Sequence, residues 1–351
     1  MPLVAYKDLP TFTRLKDEGR TILPPERAQH QDIREMHIGL LNMMPDAAMA
    51  ATERQFFRLV GESNQIAQLY IHPFTLPELE RNSETTEYIK QYYEPFEKLK
   101  EEGLDALIIT GANVSQPNLE QEVFWEPLKH VLDWSWDNVT STLCSCLATH
   151  AVMQLRYNQK RNALSNGKLW GVYKHHVTDR THPLVRNMNT VFDVPHSRFN
   201  QISPDQFKQA GMKTLVSGDN NIGTHIAVSP DGFRLVCMQG HPEYDTISLL
   251  KEYQREIKLY KSGGRDTPPP FPLNYFKDET IEKLMLHNPE DMNEQEINEL
   301  SLILSNTLEN TWTDSARSII ASWIGLVYQI TNADRRQQFM DGVNPNNPLG
   351  L

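Results

Sequence analysis

The chain carries only three cysteines in 351 residues: Cys144, Cys146 and Cys237. So few, and an odd number, suggest no disulfide framework and fit a reducing compartment, so a cytoplasmic protein is expected. No Cys-x-x-Cys pair occurs, and His175-His176 are adjacent rather than spaced i, i+4 as a helical zinc site requires, so no metal is expected. Positive charge is also short. Thirty-four Lys and Arg stand against 45 Asp and Glu, a net charge of −11, which leaves no basic excess to neutralise a nucleic-acid backbone. No stretch approaches 18 apolar residues and the first residues have no apolar core, so neither a membrane span nor a secretory leader is expected. Internal repeats are lacking too. The composition that remains, 39% hydrophobic and 23% charged, is that of an ordinary globular protein with room for one or two domains.

Short apolar runs alternate with helical periodicity along the middle of the chain. Residues 37–43 read as the first strong strand, 47–60 as a helix with Phe56, Phe57 and Val60 on its apolar stripe, and 66–71 as a second strand. The run 104–112, closing on Gly111-Ala112, suits a central strand buried on both faces. A helix over 125–136, a strand over 140–146 and a helix from Leu147 follow, with later strands at 214–217, 225–229 and 233–239 and a helix at 249–259. This alternation predicts an α/β fold, an open and mostly parallel sheet with helices on both faces, whose site lies beyond the carboxyl ends of the strands.

Three parts are expected. Residues 1–36 form an N-terminal arm with a short helix near Leu15, packing on a neighbour rather than forming a core, and residues 37–260 form the catalytic domain. Within it, 76–102 reads as a long helical excursion and 158–201 as a polar, turn-rich region. Residues 261–351 hold a Gly- and Pro-rich linker, an acidic helical insertion over 279–309, and an amphipathic helix marked by Ile319, Ile320, Trp323, Ile324, Val327 and Tyr328. That helix packs on the same domain or on a dimer partner; with the arm it suggests a homodimer.

The chemistry gathers where the strand ending at Cys146 turns into the following helix. Such a strand-to-helix turn presents one side chain at the sheet's edge and aims free helix N–H groups at it, which favours a thiolate; it is a nucleophile elbow with cysteine in place of serine. About a hundred residues later another strand runs into Gly240-His241-Pro242-Glu243. His241 and Glu243 are two apart, so their side chains share a side if the strand continues. A carboxylate beside an imidazole fixes its tautomer and supports the imidazolium, and an imidazole beside a thiol makes a nucleophile. The candidate catalytic residues are therefore Cys146, His241 and Glu243.

A cysteine elbow followed by a strand ending in Gly-His-Pro-Glu resembles class I glutamine-amidotransferase-like enzymes, which implies a flavodoxin-like sheet. More specifically, the chain resembles the homoserine O-succinyltransferase family, the homoserine O-acyltransferases of bacterial methionine biosynthesis, over most of its length. The residues that carry this are Asp8-Leu9-Pro10, Leu41-Asn42-Met43-Met44-Pro45, Thr110-Gly111-Ala112, Trp134-Ser135 and Val139-Thr140-Ser141-Thr142-Leu143. They continue through Gly171-Val172-Tyr173, His175-His176, Pro195-His196-Ser197-Arg198, Gly240 to Asp245, Asn274-Tyr275-Phe276 and Tyr328-Gln329.

The resemblance implies a ping-pong acyl transfer with no bound cofactor, acyl-CoA (succinyl-CoA or acetyl-CoA) as co-substrate and L-homoserine as acceptor. It implies an oxyanion hole at Val114 and Leu147, substrate binding by Lys168, Ser197 and Arg255, and acyl selection at Ser115. A Glu at that last position goes with acetyl in the family and a Gly with succinyl, so small, neutral Ser115 leans toward succinyl. The chain departs from the family in reading Cys146-Leu147-Ala148-Thr149-His150 for Cys-Trp-Gly/Ala-x-Gln, and Pro45-Asp46-Ala47 for Pro-Lys-Lys. The lost lysines lean away from an anionic acyl group. Two other readings stay open: acyl transfer to another hydroxy amino acid such as serine, and a non-catalytic regulatory or binding paralogue.

Overall fold

The apolar runs become the centre of one large sheet in a computed structural model, which describes residues 3–20, 22–29, 33–64, 66–165, 167–219, 222–286, 302 and 304–351. In chain order its strands are β1 (Leu3–Val4), β2 (Ile22–Leu23), β3 (Glu35–Met43), β4 (Gln68–Phe74), β5 (Ala106–Ala112), β6 (Ser141–Ser145) and β7 (Asn162–Ala163). They continue as β8 (Leu169–Val177), β9 (Val191–Arg198), β10 (Asn200–Gln201), β11 (Lys213–Gly218), β12 (Gly223–Val228) and β13 (Leu235–Met238). Among the described residues the main sheet has eleven strands in the order β2-β1-β4-β3-β5-β6-β13-β12-β11-β8-β9, and β7 and β10 pair separately. From β2 to β13 every neighbour is parallel. From β13 outward through β12, β11, β8 and β9 every neighbour is antiparallel.

Alternation along the central strands places helices on both faces. Ile108 and Leu143 point into one core, which the helices Asp46–Ser63 and Thr313–Ile330 close with Phe56, Phe57, Val60, Ile320, Trp323 and Val327. Their neighbours Leu107, Ile109 and Cys144 point into the other, closed by the helices Trp125–Asn138 and Leu147–Tyr157. The buried Trp323 indole also donates to Ser141 Oγ at 2.9 Å, fixing the C-terminal helix to β6, the strand that leads to Cys146. No helix among the described residues is long and apolar enough to cross a membrane.

Three local expectations differ. The N-terminal arm joins its own chain's core: β1 and β2 extend the sheet, and Leu9, Phe12 and Leu15 from the helix Pro10–Asp17 are buried, with the Phe12 and Phe57 rings 5.7 Å apart. A helix of eight residues with one apolar stripe needs a surface to cover, and the helix Asp46–Ser63 supplies it. The excursion 76–102 divides into helices Ser83–Tyr92 and Phe96–Glu102, because Pro95 removes an N–H and forces the residue before it out of the helical region. The stretch 158–201 contains the long strands β8 and β9, in register from Leu169↔Arg198 to His176↔Val191. Of the acidic stretch 279–309, the helix Asp278–Leu286 ends within it, and residues 287–301 and 303 lie outside the described residues.

Candidate active site

Cys146 caps the helix Leu147–Tyr157 with φ 50° and ψ −108°, a conformation that an L-residue with a side chain rarely holds. The surrounding bonds keep it there. Its N–H donates to Met238 O at 2.7 Å, and Thr149 Oγ1 donates to Cys144 O at 2.8 Å. Because β6 and β13 are parallel neighbours, with Cys144 opposite Cys237, the turn after β13 emerges beside the turn after β6. That adjacency brings His241 to Cys146 across ninety-odd residues of sequence. Gly240 passes so close to β9 that a β-carbon on it would stand 2.5 Å from Val194 Cγ1 and 2.9 Å from His196 Nε2. Cys144 and Cys237 themselves are buried; their mutual contact and burial push the Cys144 thiol well above its ordinary range, the profile of inert core thiols.

His241 Nδ1 bonds Glu243 Oε1 at 2.8 Å, which leaves Nε2 free to serve Cys146, whose sulfur is close enough to act on the imidazole. Burial works against a charged imidazole here, but the Glu243 carboxylate and the Cys146 sulfur together outweigh it and hold His241 well above the ordinary histidine range. Glu243 is 5% exposed and its second carboxylate oxygen has no protein partner, so the carboxylate is committed to His241.

Lys168 and Ser197 converge on a residue that sequence reasoning did not name. Glu252 accepts from Ser197 Oγ at 2.6 Å, Trp170 Nε1 at 2.9 Å and Tyr244 OH at 2.7 Å, and lies 3.4 Å from Lys168 Nζ. Burial alone would raise the Glu252 carboxyl, but Lys168, the two hydroxyls and His241 hold it below its usual range. Tyr244 also stacks on the His241 ring, centroids 4.4 Å apart, so the hub and the imidazole are one assembly. Arg255 is exposed on the helix Ser248–Lys261 and has no ion-pair partner among the described residues.

On the other side of the thiol, Val114 is half-buried in the loop after β5, and the N–H of Leu147 heads its helix with no intrahelical acceptor. Ser115 is exposed, with its N–H and hydroxyl both donating to buried Glu122, at 2.7 Å and 3.2 Å. Behind His241 lie three fully buried imidazoles. Their bonds run in one direction: Arg198 Nε donates to His196 Nδ1, His196 Nε2 meets His175 Nε2 at 3.2 Å, and His175 Nδ1 meets Tyr173 O at 2.8 Å. Gly240 N–H donates to His225 Nδ1 at 3.1 Å. Burial keeps all three below the ordinary range, His175 at about 4.

The sequence profile of the homoserine O-succinyltransferase family matches residues 2–333. The chain belongs to this family. A homoserine O-succinyltransferase from Nitrosococcus oceani is 59% identical over 358 residues, covering 100% of this chain and 99% of the relative. One from Allochromatium vinosum is likewise 59% identical, over 363 residues with the same coverage. Among solved structures, a glutamine amidotransferase from Thermotoga maritima aligns with 85% of this chain and 99% of its own, at a TM-score of 0.46 and 12% identity.

The departures from the family pattern have definite places. Leu147 is 4% exposed and belongs to the second core. His150, one helical turn beyond Cys146, is 3% exposed with neither ring nitrogen hydrogen-bonded. Asp46 accepts from Asn82 N–H at 2.9 Å and lies 3.3 Å from Arg81, so it is occupied by the neighbouring helix. Glu252 and Glu122 carry no sequence signal of their own, and Tyr244 stands out only as a member of the Gly240–Asp245 run; only the fold makes them converge.

Proposed function

We propose that this chain transfers a succinyl group from succinyl-CoA to the hydroxyl of L-homoserine through a thioester on Cys146. The observation that carries the reading is the Cys146 thiol at a helix N-terminus, in contact with an imidazole that a buried carboxylate orients. The similarity to homoserine O-succinyltransferases favours succinyl, and Ser115 leaves room for it.

In the first half-reaction the Cys146 thiolate attacks the thioester carbonyl. The N–H groups of Leu147 and Val114 face the developing oxyanion, and CoA leaves as its thiol on taking a proton from His241. In the second, neutral His241 removes the proton from the homoserine hydroxyl, whose oxygen attacks the acyl-enzyme; the thioester C–S bond breaks and restores the Cys146 thiolate beside the His241 imidazolium. Glu243 supports the imidazolium in both steps. Lys168 and Ser197, ordered by Glu252, and exposed Arg255 supply the polar wall for the zwitterionic amino acid. The test is CoA release from succinyl-CoA with and without homoserine: homoserine-dependent release that is absent in Cys146→Ala supports the reading. Release with serine but not homoserine, or release indifferent to Cys146, contradicts it.

A further inference from the structure

We infer that Arg161 receives the distal carboxylate of the transferred succinyl group: it is a half-buried guanidinium, seated against the loop that carries Ser115, that makes no ion pair among the described residues. The inference rests on the succinyl-transfer reading and adds to it the group that recognises the acyl chain's charge.

The loop after β5 is held by Glu122, which takes the Ser115 N–H at 2.7 Å, the Gln116 N–H at 2.6 Å and the Ser115 hydroxyl at 3.2 Å. With both its oxygens used by the loop, Glu122 does not pair with Arg161, and among the described residues no carboxylate lies within 4.0 Å of that guanidinium. Among the described residues Arg161 reaches only Gln116 O and Pro117 O, at 3.5 Å and 3.4 Å, longer than good hydrogen bonds, so most of its five donors remain available. The charge is nonetheless close to the chemistry. Burial lowers the Arg161 pKa, while Glu122 and the Cys146 sulfur, both within electrostatic reach, oppose that.

The other cations around the thiol are already engaged. Arg198 is 3% exposed and donates to Ile222 O at 2.7 Å, Asn200 O at 3.0 Å and His196. Lys168 faces Glu252. His150, within electrostatic reach of both Arg161 and Arg198, is buried with both ring nitrogens unpartnered; the nearby amide of Gln239 is taken up by Ile202 and Thr224. Burial, with the two guanidinium charges adding to it, pulls His150 down to about 3, so it stands as a neutral imidazole with an N–H to offer. A half-buried cation and an orphaned donor beside a nucleophile, with no anion between them, are a costly arrangement that an incoming carboxylate relieves. The carboxylate also fits the Arg161 fork in a bidentate way that lysine would not reproduce.

The experiment compares succinyl-CoA with butyryl-CoA, which has the same carbon chain without the carboxylate, on wild type, Arg161→Gln and Arg161→Lys. Homoserine KM and melting temperature are recorded for each. The expected result is a fall in kcat/KM for succinyl-CoA of roughly 10- to 100-fold in Arg161→Gln. The butyryl-CoA rate and the homoserine KM should be unchanged, and Arg161→Lys intermediate. Equal falls with both donors, no fall, a wild type that does not prefer succinyl-CoA, or a raised homoserine KM with unchanged donor constants each overturns the assignment. Should Arg161→Gln melt early, Arg161→Lys alone decides by the same donor ratio. A wild type without homoserine-dependent CoA release overturns the transferase reading itself, and is thereby distinguished from a failure of Arg161.

Discussion

The parallel and antiparallel halves of the sheet are built from different material. In the parallel half, strands β3, β5 and β6 bury Ile38, Leu40, Leu107, Ile108, Ile109 and Leu143, with helices over both faces. In the antiparallel half, β8, β9 and β12 bury His175, His196, Arg198, Thr224 and His225 at 3% exposure or less. The first half is held by area removed from water and tolerates little loss of volume. The second depends on polar groups being paired one with another, and on imidazoles staying neutral. Cys146, the proposed nucleophile, follows a strand of the first half, while His241, its proposed base, follows β13, the strand on which the two halves meet. The comparison teaches that the apolar half aims Cys146, whereas the polar half shapes the space in front of it.

The largest effect that would break this division is chemical. Cys146→Ala should lower homoserine-dependent CoA release by on the order of 10⁴-fold or more with the melting temperature unchanged, because Cys146 lies at the surface of the core. Cys144→Ala, two residues earlier and fully buried, should do the reverse, keeping turnover and losing roughly 1 kcal/mol of stability. Glu243→Gln should cost about 10²- to 10⁴-fold in kcat, since it leaves His241 without its anion, with homoserine KM changed far less. Turnover of these variants against urea melts separates the two kinds of residue.

Next comes Leu107→Ala in the parallel half, which should cost about 2–5 kcal/mol in denaturant unfolding while kcat per folded molecule stays constant. A matching loss of kcat would mean that the apolar half does more than aim the thiol. The antiparallel half should instead show itself in pH. His175 has its pKa lowered in the fold, so between the unfolded value near 6.5 and about 4 the unfolded chain binds more protons. Stability therefore falls as pH drops through that window, by roughly 1.4 kcal/mol per unit for this residue, and His196 and His225 act in the same direction. His175→Phe should flatten the slope between pH 6.5 and 4, read from melts at closely spaced pH values.

The same contrast decides what was legible in the sequence. The parallel strands announce themselves because burial on both faces demands continuous apolar runs, and the elbow because an apolar strand breaks into a helix at a cysteine. Gly240-His241-Pro242-Glu243 is readable as a strand end with an acid and a base two apart. The strands β8 and β9 are not readable in this way, since their buried positions alternate among Trp170, Val172, His175, His196 and Arg198, and the polar members are satisfied only by partners distant in sequence. Glu252 and Glu122 are invisible for the same reason: each is defined by the donors that converge on it. The N-terminal arm reads as separate because its apolar residues are sparse, yet Leu9, Phe12 and Leu15 are enough to seat it on the first core.

The most direct test of the central claim is the intact mass of the protein after mixing with succinyl-CoA in the absence of acceptor. The account predicts a gain of one succinyl group, carried on Cys146 in the peptide map, that disappears when homoserine is added and never forms in Cys146→Ala. A chain that turns over homoserine and succinyl-CoA with no such adduct, or with the adduct on another residue, would contradict it.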